Sequence, residues 1–149
     1  MLPRVMLVCV VVVSGLIVTS SNAFQKRFAL PAPPTKTDIE RGRYLVEEVA
    51  KCSECHTPRK PNGELDEAAW LRGAPIWIQP VARIANWADR APALAGLPSF
   101  TDVQAEKVLE DGTGPNGEEL RPPMHIYHMA PADARAIVAY LKSLPAEVH

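Results

Sequence analysis

Cys52-Ser53-Glu54-Cys55-His56 decides how this chain is read. Two thiols three positions apart, followed at once by an imidazole, form the pattern that covalent c-type haem attachment requires. Each cysteine can add across one vinyl group to give a thioether, and the adjacent His56 is then held where a ring nitrogen can ligate iron from the proximal face. Two other chemistries use similar residues. A thioredoxin-like redox pair has the same cysteine spacing, but it belongs at a strand-to-helix junction in a βαβ pattern, which this sequence lacks. A zinc site would have to borrow His125 and His128, about seventy residues away and closer together than the usual ligand spacing.

Toward the N-terminus, residues 5–18 are an apolar run broken only by Ser14 and Gly15, preceded by Arg4 and followed by Ser21-Asn22-Ala23. This is a secretory signal pattern, with small residues where a signal peptidase needs them. The run is shorter than the roughly 20 residues that span a bilayer, which favours cleavage after Ala23 over a permanent anchor. An uncleaved anchor through residues 5–20 is the alternative, because Lys26 and Arg27 follow the site directly. Either way the rest of the chain is expected outside the cytoplasm, in the periplasm. Residues 24–36, with Pro31, Pro33 and Pro34, read as a stiff spacer. Residues 37–145 are the expected folded domain, and 146–149 a short tail.

The 149 residues leave room for one such domain. Its cysteines are Cys9 in the leader, Cys52 and Cys55, so a chain that spends the last two on haem has no thiol left for a structural disulfide. Loss of the leader removes Arg4 and leaves 15 basic against 17 acidic side chains, and no basic patch recommends nucleic acid as a partner.

The folded part reads as all-α. Thr37-Asp38-Ile39-Glu40 is a capping box, and Ile39, Gly42, Leu45, Val46 and Val49 recur behind it at helical spacing, leading into the haem motif. Asp66 is a cap for a short helix through Trp70. Thr101-Asp102-Val103-Gln104 is a second capping box, opening a helix with Val108 and Leu109 that Gly112 ends. Pro131 suits the first position of a last helix, in which Ala134, Ile137, Val138 and Leu141 share a face before Pro145 stops it. No strand pattern and no internal repeat are visible, and a single Cys-x-x-Cys-His predicts one haem.

A sixth iron ligand has to come from Leu120-Arg121-Pro122-Pro123-Met124-His125-Ile126-Tyr127-His128-Met129. Two prolines before Met124 restrict its backbone, so Met124 is the expected ligand. Met129 is the alternative and otherwise a core residue, methionine being a common gap-filler. His125 adds an imidazole next to the ligand and is read as exposed or hydrogen-bonded rather than iron-bound.

With these residues in view the chain resembles the class I cytochromes c, especially monohaem proteins with a Pro-Pro-Met-Pro distal loop and a last helix ending in Tyr-Leu-x-Ser-Leu-Pro. Ala139-Tyr140-Leu141-Lys142-Ser143-Leu144-Pro145 matches that ending. The resemblance implies three to five helices wrapped around one haem c. The first and last would cross near it, with Gly42 accepting the ring of Tyr140. It also implies a proximal-histidine acceptor, since Ala91-Pro92-Ala93-Leu94-Ala95-Gly96 is similar to the family's Gly-Pro-x-Leu-x-Gly, which makes Pro92 the carbonyl that orients His56. Three departures stand out: Ala91 replaces a glycine, His125 replaces a proline, and residues 57–90 form a longer stretch than a minimal domain needs. That stretch holds Trp70, Trp77 and Trp87, read as packing around the haem edge or beneath a loop, or as a partner-docking surface.

The function these readings imply is one-electron transfer rather than catalysis, with Cys52 and Cys55 as tethers, His56 and Met124 as ligands and Pro92 as orienter. Electrons would come from a periplasmic dehydrogenase or a quinol-oxidising complex and go to an oxidase. Membrane contact would be through the leader alone. If Met124 coordinates weakly, the alternative is a domain that binds or senses a small gas. A peroxidase-like role would need a distal acid or base, for which only His125 or His128 is available. Methionine ligation would hold the potential above that of a bis-histidine haem.

Overall fold

Thr35, not Thr37, opens the first helix. In the computed structural model, which describes residues 32–146, its hydroxyl accepts from the Asp38 amide at 3.2 Å while the Asp38 carboxylate accepts from the Thr35 amide at 2.7 Å. Two overlapping capping boxes are written into this stretch, and the chain uses the outer one, starting the helix directly after Pro33 and Pro34. The result is α1, Lys36–Tyr44, two residues longer at its start than the inner box would give. The leader and most of the spacer lie outside the described residues.

α1 widens into a π turn over Leu45–Val49, in which the Ala50 amide donates to the Leu45 carbonyl at 2.7 Å. Leu45 and Val46 are thereby buried, and Lys51, at a φ of 51°, turns the chain into α2, Ser53–His56. The haem motif thus leaves the first helix within a few residues of its end. α3, Asp102–Glu110, starts at the second capping box as expected, Thr101 and Gln104 satisfying each other's amides at 3.3 and 2.9 Å. α4, Pro131–Ser143, has Pro131 in its first turn and buries Ala134, Ile137, Val138 and Leu141 together with Ala136, Ala139 and Tyr140. Asp66 caps only a short 3-10 turn, Glu67–Ala69.

The expectation of no strands needs correction. β1, Ala74–Pro75, pairs antiparallel with β2, Arg90–Ala91, in the register Ala74 to Ala91 and Pro75 to Arg90. Two residues are too few to display the alternation that marks a strand in sequence. The ladder closes the base of the 57–90 stretch, and further bonds stitch that stretch inward. The Gly73 amide donates to the His56 carbonyl at 2.8 Å, and the Leu71 amide to the Thr57 hydroxyl at 3.0 Å.

α1 and α4 cross at Gly42. A Cβ at that position would run into the Ala136 carbonyl oxygen and come within 2.8 Å of Tyr140 Cβ, so only glycine lets the two backbones meet. It is the Ala136 backbone, more than the Tyr140 ring, that occupies the space; the Tyr140 hydroxyl instead donates to Glu47 at 2.6 Å. Arg41 adds a two-pronged bond to Asp133 at 3.1 and 3.3 Å. Around this crossing lies a core of Leu45, Val46, Leu71, Leu97, Leu109, Ile137, Val138 and Leu141. Among the described residues, no helix is long and apolar enough to cross a membrane.

Two substitutions check this account by denaturant unfolding. Gly42→Ala forces the helices apart and is expected to cost about 2 kcal/mol, as overpacking a tight contact does. Thr101→Ala removes one cap and is expected to cost about 1 kcal/mol.

Candidate haem site

Between α2, the 90–97 segment, α3 and α4 lies a cavity of about 480 Å³ whose wall is mostly apolar. Leu94, Leu97, Leu109, Ile137 and Leu141 supply much of that wall, and Cys52, Cys55, His56, Pro92 and Met124 all face onto it. The five residues singled out in the sequence are thus brought to one cavity, although Met124 is about seventy residues from the cysteines in the chain. Met129 is not among the lining residues. Its side chain packs against the core and its amide donates to the Leu109 carbonyl at 3.0 Å.

His56 is buried, and its Nδ1 lies 2.8 Å from the Pro92 carbonyl oxygen. A carbonyl can only accept, so Nδ1 carries the proton and Nε2 keeps its lone pair. Burial pulls the ring's pKa below the ordinary histidine value, partly offset by the Pro92 bond, so the neutral, ligating form is the one favoured. Pro92 is held beside the ring by the β1–β2 ladder and by Gly73, where a Cβ would meet the carbonyl of Ala91 and the backbone of Pro92 and Ala93.

Burial pushes the Cys52 thiol up to about 11 and raises that of Cys55 as well. A dithiol–disulfide catalyst works through its thiolate, which burial disfavours here. Among the described residues, no three His, Cys, Asp or Glu side chains are grouped to hold a metal ion.

The residues present do fit a haem. The cavity is large and apolar, and the thiols and an oriented imidazole stand on its wall. Haem iron would meet His56 on one side.

Sequence reasoning missed several contributors. Tyr127 lines the cavity and its hydroxyl donates to the Ala50 carbonyl at 3.0 Å, tying the Met124 segment to the end of the π turn. His125, which the sequence already singled out as exposed or hydrogen-bonded, is exposed at the cavity wall; what the sequence did not show is that its ring leans on Tyr127 with centroids 4.0 Å apart. Glu54, between the two cysteines, is engaged twice: its carboxylate accepts from Arg59 at 2.6 Å and its carbonyl from the Trp77 indole at 3.1 Å. Trp77 is nevertheless 58% exposed, whereas Trp70 packs against the core, so the three tryptophans do not share one role. Only the proximity of Trp77 and Arg59 to the motif hinted at these contacts, because each depends on how residues 57–90 fold back.

The family model for cytochrome c matches residues 39–145. Among curated proteins, the chain is 37% identical over 117 residues to the fructose dehydrogenase cytochrome subunit of Gluconobacter japonicus, covering 74% of this chain and 23% of that one. It is 34% identical over 115 residues to a diheme cytochrome c-type protein of Cereibacter sphaeroides, covering 72% and 36%. It is 33% identical over 127 residues to the cytochrome c subunit of a quinone-linked alcohol dehydrogenase of Gluconacetobacter polyoxogenes, covering 77% and 26%. The chain therefore spans between 23% and 36% of the length of these relatives. With tethers, imidazole and apolar cavity in place, the chain belongs to the cytochrome c family, whose members transfer electrons through covalently bound haem.

Proposed function

We propose that residues 37–145 form a one-haem electron-carrier domain with His56 and Met124 as axial ligands, working outside the cytoplasm. The observation that carries the reading is that Cys52, Cys55, His56 and Met124 all line one apolar cavity while Met129 does not. Bound there, a c-type haem supplies one-electron chemistry at its iron. Every other part of the task falls to the chain.

Cys52 and Cys55 hold the macrocycle through two thioethers, so it cannot exchange between turnovers. His56, with Nδ1 committed to Pro92, presents Nε2 as a donor of fixed orientation, and the Pro92 bond partly offsets the loss of basicity that burial causes. Met124 offers a soft thioether, which favours the reduced state and raises the potential. Leu97, Leu109, Ile137 and Leu141 exclude water from the cavity. A low-dielectric, rigid surround keeps small the rearrangement that accompanies a change of charge.

The names of the relatives support a dehydrogenase as electron donor, since two are cytochrome subunits of sugar or alcohol dehydrogenases. The domain would accept electrons from such an enzyme or a quinol-oxidising complex and pass them to an oxidase. One Cys-x-x-Cys-His supports one haem in this stretch, and the leader pattern at residues 1–23 supports export to the periplasm.

Protein matured with a haem-attachment system is expected to carry one haem per chain by mass, with a low-spin optical spectrum in both oxidation states. Reduced protein should ignore carbon monoxide. A far-red methionine-to-iron band should be present in the oxidised protein, lost in Met124→Ala and kept in Met129→Ala, and Met124→Ala should lower the reduction potential. Ready binding of carbon monoxide by the unaltered reduced protein would instead make this a gas-binding domain. Separately, Cys52→Ser and Cys55→Ser each leave one vinyl group unsaturated. Each is expected to retain haem through the remaining thioether, with the haemochrome band moved to longer wavelength.

A further inference from the structure

Prolines 122 and 123 restrict the backbone ahead of Met124, but neither has an N–H to donate, so they cannot by themselves fasten the segment to the rest of the protein. The fastening comes from both sides of them. The Pro122 carbonyl accepts from the Ala88 amide at 2.7 Å. The Arg121 guanidinium donates through Nε to the Asn86 carbonyl at 3.2 Å and through Nη2 to the Trp87 carbonyl at 3.1 Å. Asn86 stands at a φ of 59°, a left-handed conformation that asparagine tolerates, and two successive carbonyls accept from one planar fork. The segment receiving these bonds is itself fixed, because the Ile76 amide donates to the Asp89 carbonyl at 2.9 Å and Pro75 pairs with Arg90. On the other side, the Met124 amide returns to the Arg121 carbonyl at 3.2 Å.

We infer that Arg121 is a positioning residue for the sixth iron ligand: its guanidinium clamps the Met124 segment to Asn86 and Trp87 and so makes residues 57–90 part of the cage that keeps the iron saturated. This rests on Met124 being the ligand. The clamp acts through geometry, not charge. A lysine at 121 keeps the positive charge, but a single ammonium on a flexible stem cannot reproduce a planar two-carbonyl fork. Loss of two hydrogen bonds from one end of the segment raises the population in which Met124 has left the iron without disturbing Cys52, Cys55 or His56.

The test compares haem-loaded wild type, Arg121→Gln, Arg121→Lys and Met124→Ala. Arg121→Gln is expected to keep one haem per chain. Its far-red band should weaken, and the fraction of reduced protein that binds carbon monoxide at a fixed subsaturating concentration should rise about tenfold. Arg121→Lys should fall between it and wild type. A far-red band and carbon monoxide indifference unchanged in Arg121→Gln would overturn the clamp, and so would full restoration by Arg121→Lys, which would make the charge the operative property. A wild type that lacks the band and matches Met124→Ala would sink the ligand assignment itself, a result recognisable without any Arg121 variant. Should Arg121→Gln fail to accumulate folded, amide hydrogen exchange of the haem-loaded wild type decides. The Ala88 and Met124 amides should open together, and independent opening overturns the clamp.

Discussion

At Gly42 the backbones of α1 and α4 approach closely enough to fix how the two helices cross. Because no side chain intervenes, the backbone around Ala136 can sit directly against the first helix. That contact sets where each helix points its useful residues. The C-terminal end of α1, widened by the π turn, delivers Cys52 and the attachment helix to the cavity. From the other partner in the crossing come Ile137 and Leu141, which wall it. Bonds from Arg41 to Asp133 and from Tyr140 to Glu47 reinforce the crossing, but the first is solvent-exposed and contributes little next to the buried contact.

A small domain built around a large apolar cavity has few side chains to spare for its own core. Here the economy is met by making the same residues serve both. Leu97, Leu109, Ile137 and Leu141 belong to the hydrophobic core and to the cavity wall, so a haem held there would complete the core. Buried polar groups are satisfied individually. His56 Nδ1 is satisfied by Pro92, and the buried Thr57 hydroxyl accepts from the Leu71 amide.

Residues 57–90 look in sequence like an addition to a minimal domain, and in space they are bound into it. Leu71 is the pivot. It is fully buried at a φ of 55°, a conformation that a bulky residue adopts only when its surroundings hold it there. Its amide donates to Thr57, and its carbonyl accepts from both Leu94 and Ala95 at 2.8 and 3.0 Å. The same added stretch therefore supports the Pro92 carbonyl on the imidazole side and, through Asn86 to Ala88, the Met124 segment on the other. At the surface it leaves Trp77, Val81 and Ile84 exposed.

Features that rest on local chemistry are legible in the chain without its fold. Cys52, Cys55 and His56 are adjacent in the chain, so their joint role needs no fold to be read. Thr101 with Gln104 and Pro131 likewise act on their immediate neighbours, and the helices they start are where the sequence puts them. Locality also has its own ambiguity, as Thr35 and Thr37 show: both could cap, and the choice fell to the helix that starts nearest the prolines. Tertiary structure alone decided the rest. Whether Met124 or Met129 reaches the cavity depends on how the segment between α3 and α4 folds over it. The two-residue ladder, the left-handed Leu71 and the bonds from Arg121 join positions tens of residues apart and leave no periodic trace in the chain. Short-range hydrogen bonds and caps are encoded where they act, whereas the walls of a cavity are encoded in residues that meet only after the chain has closed around it.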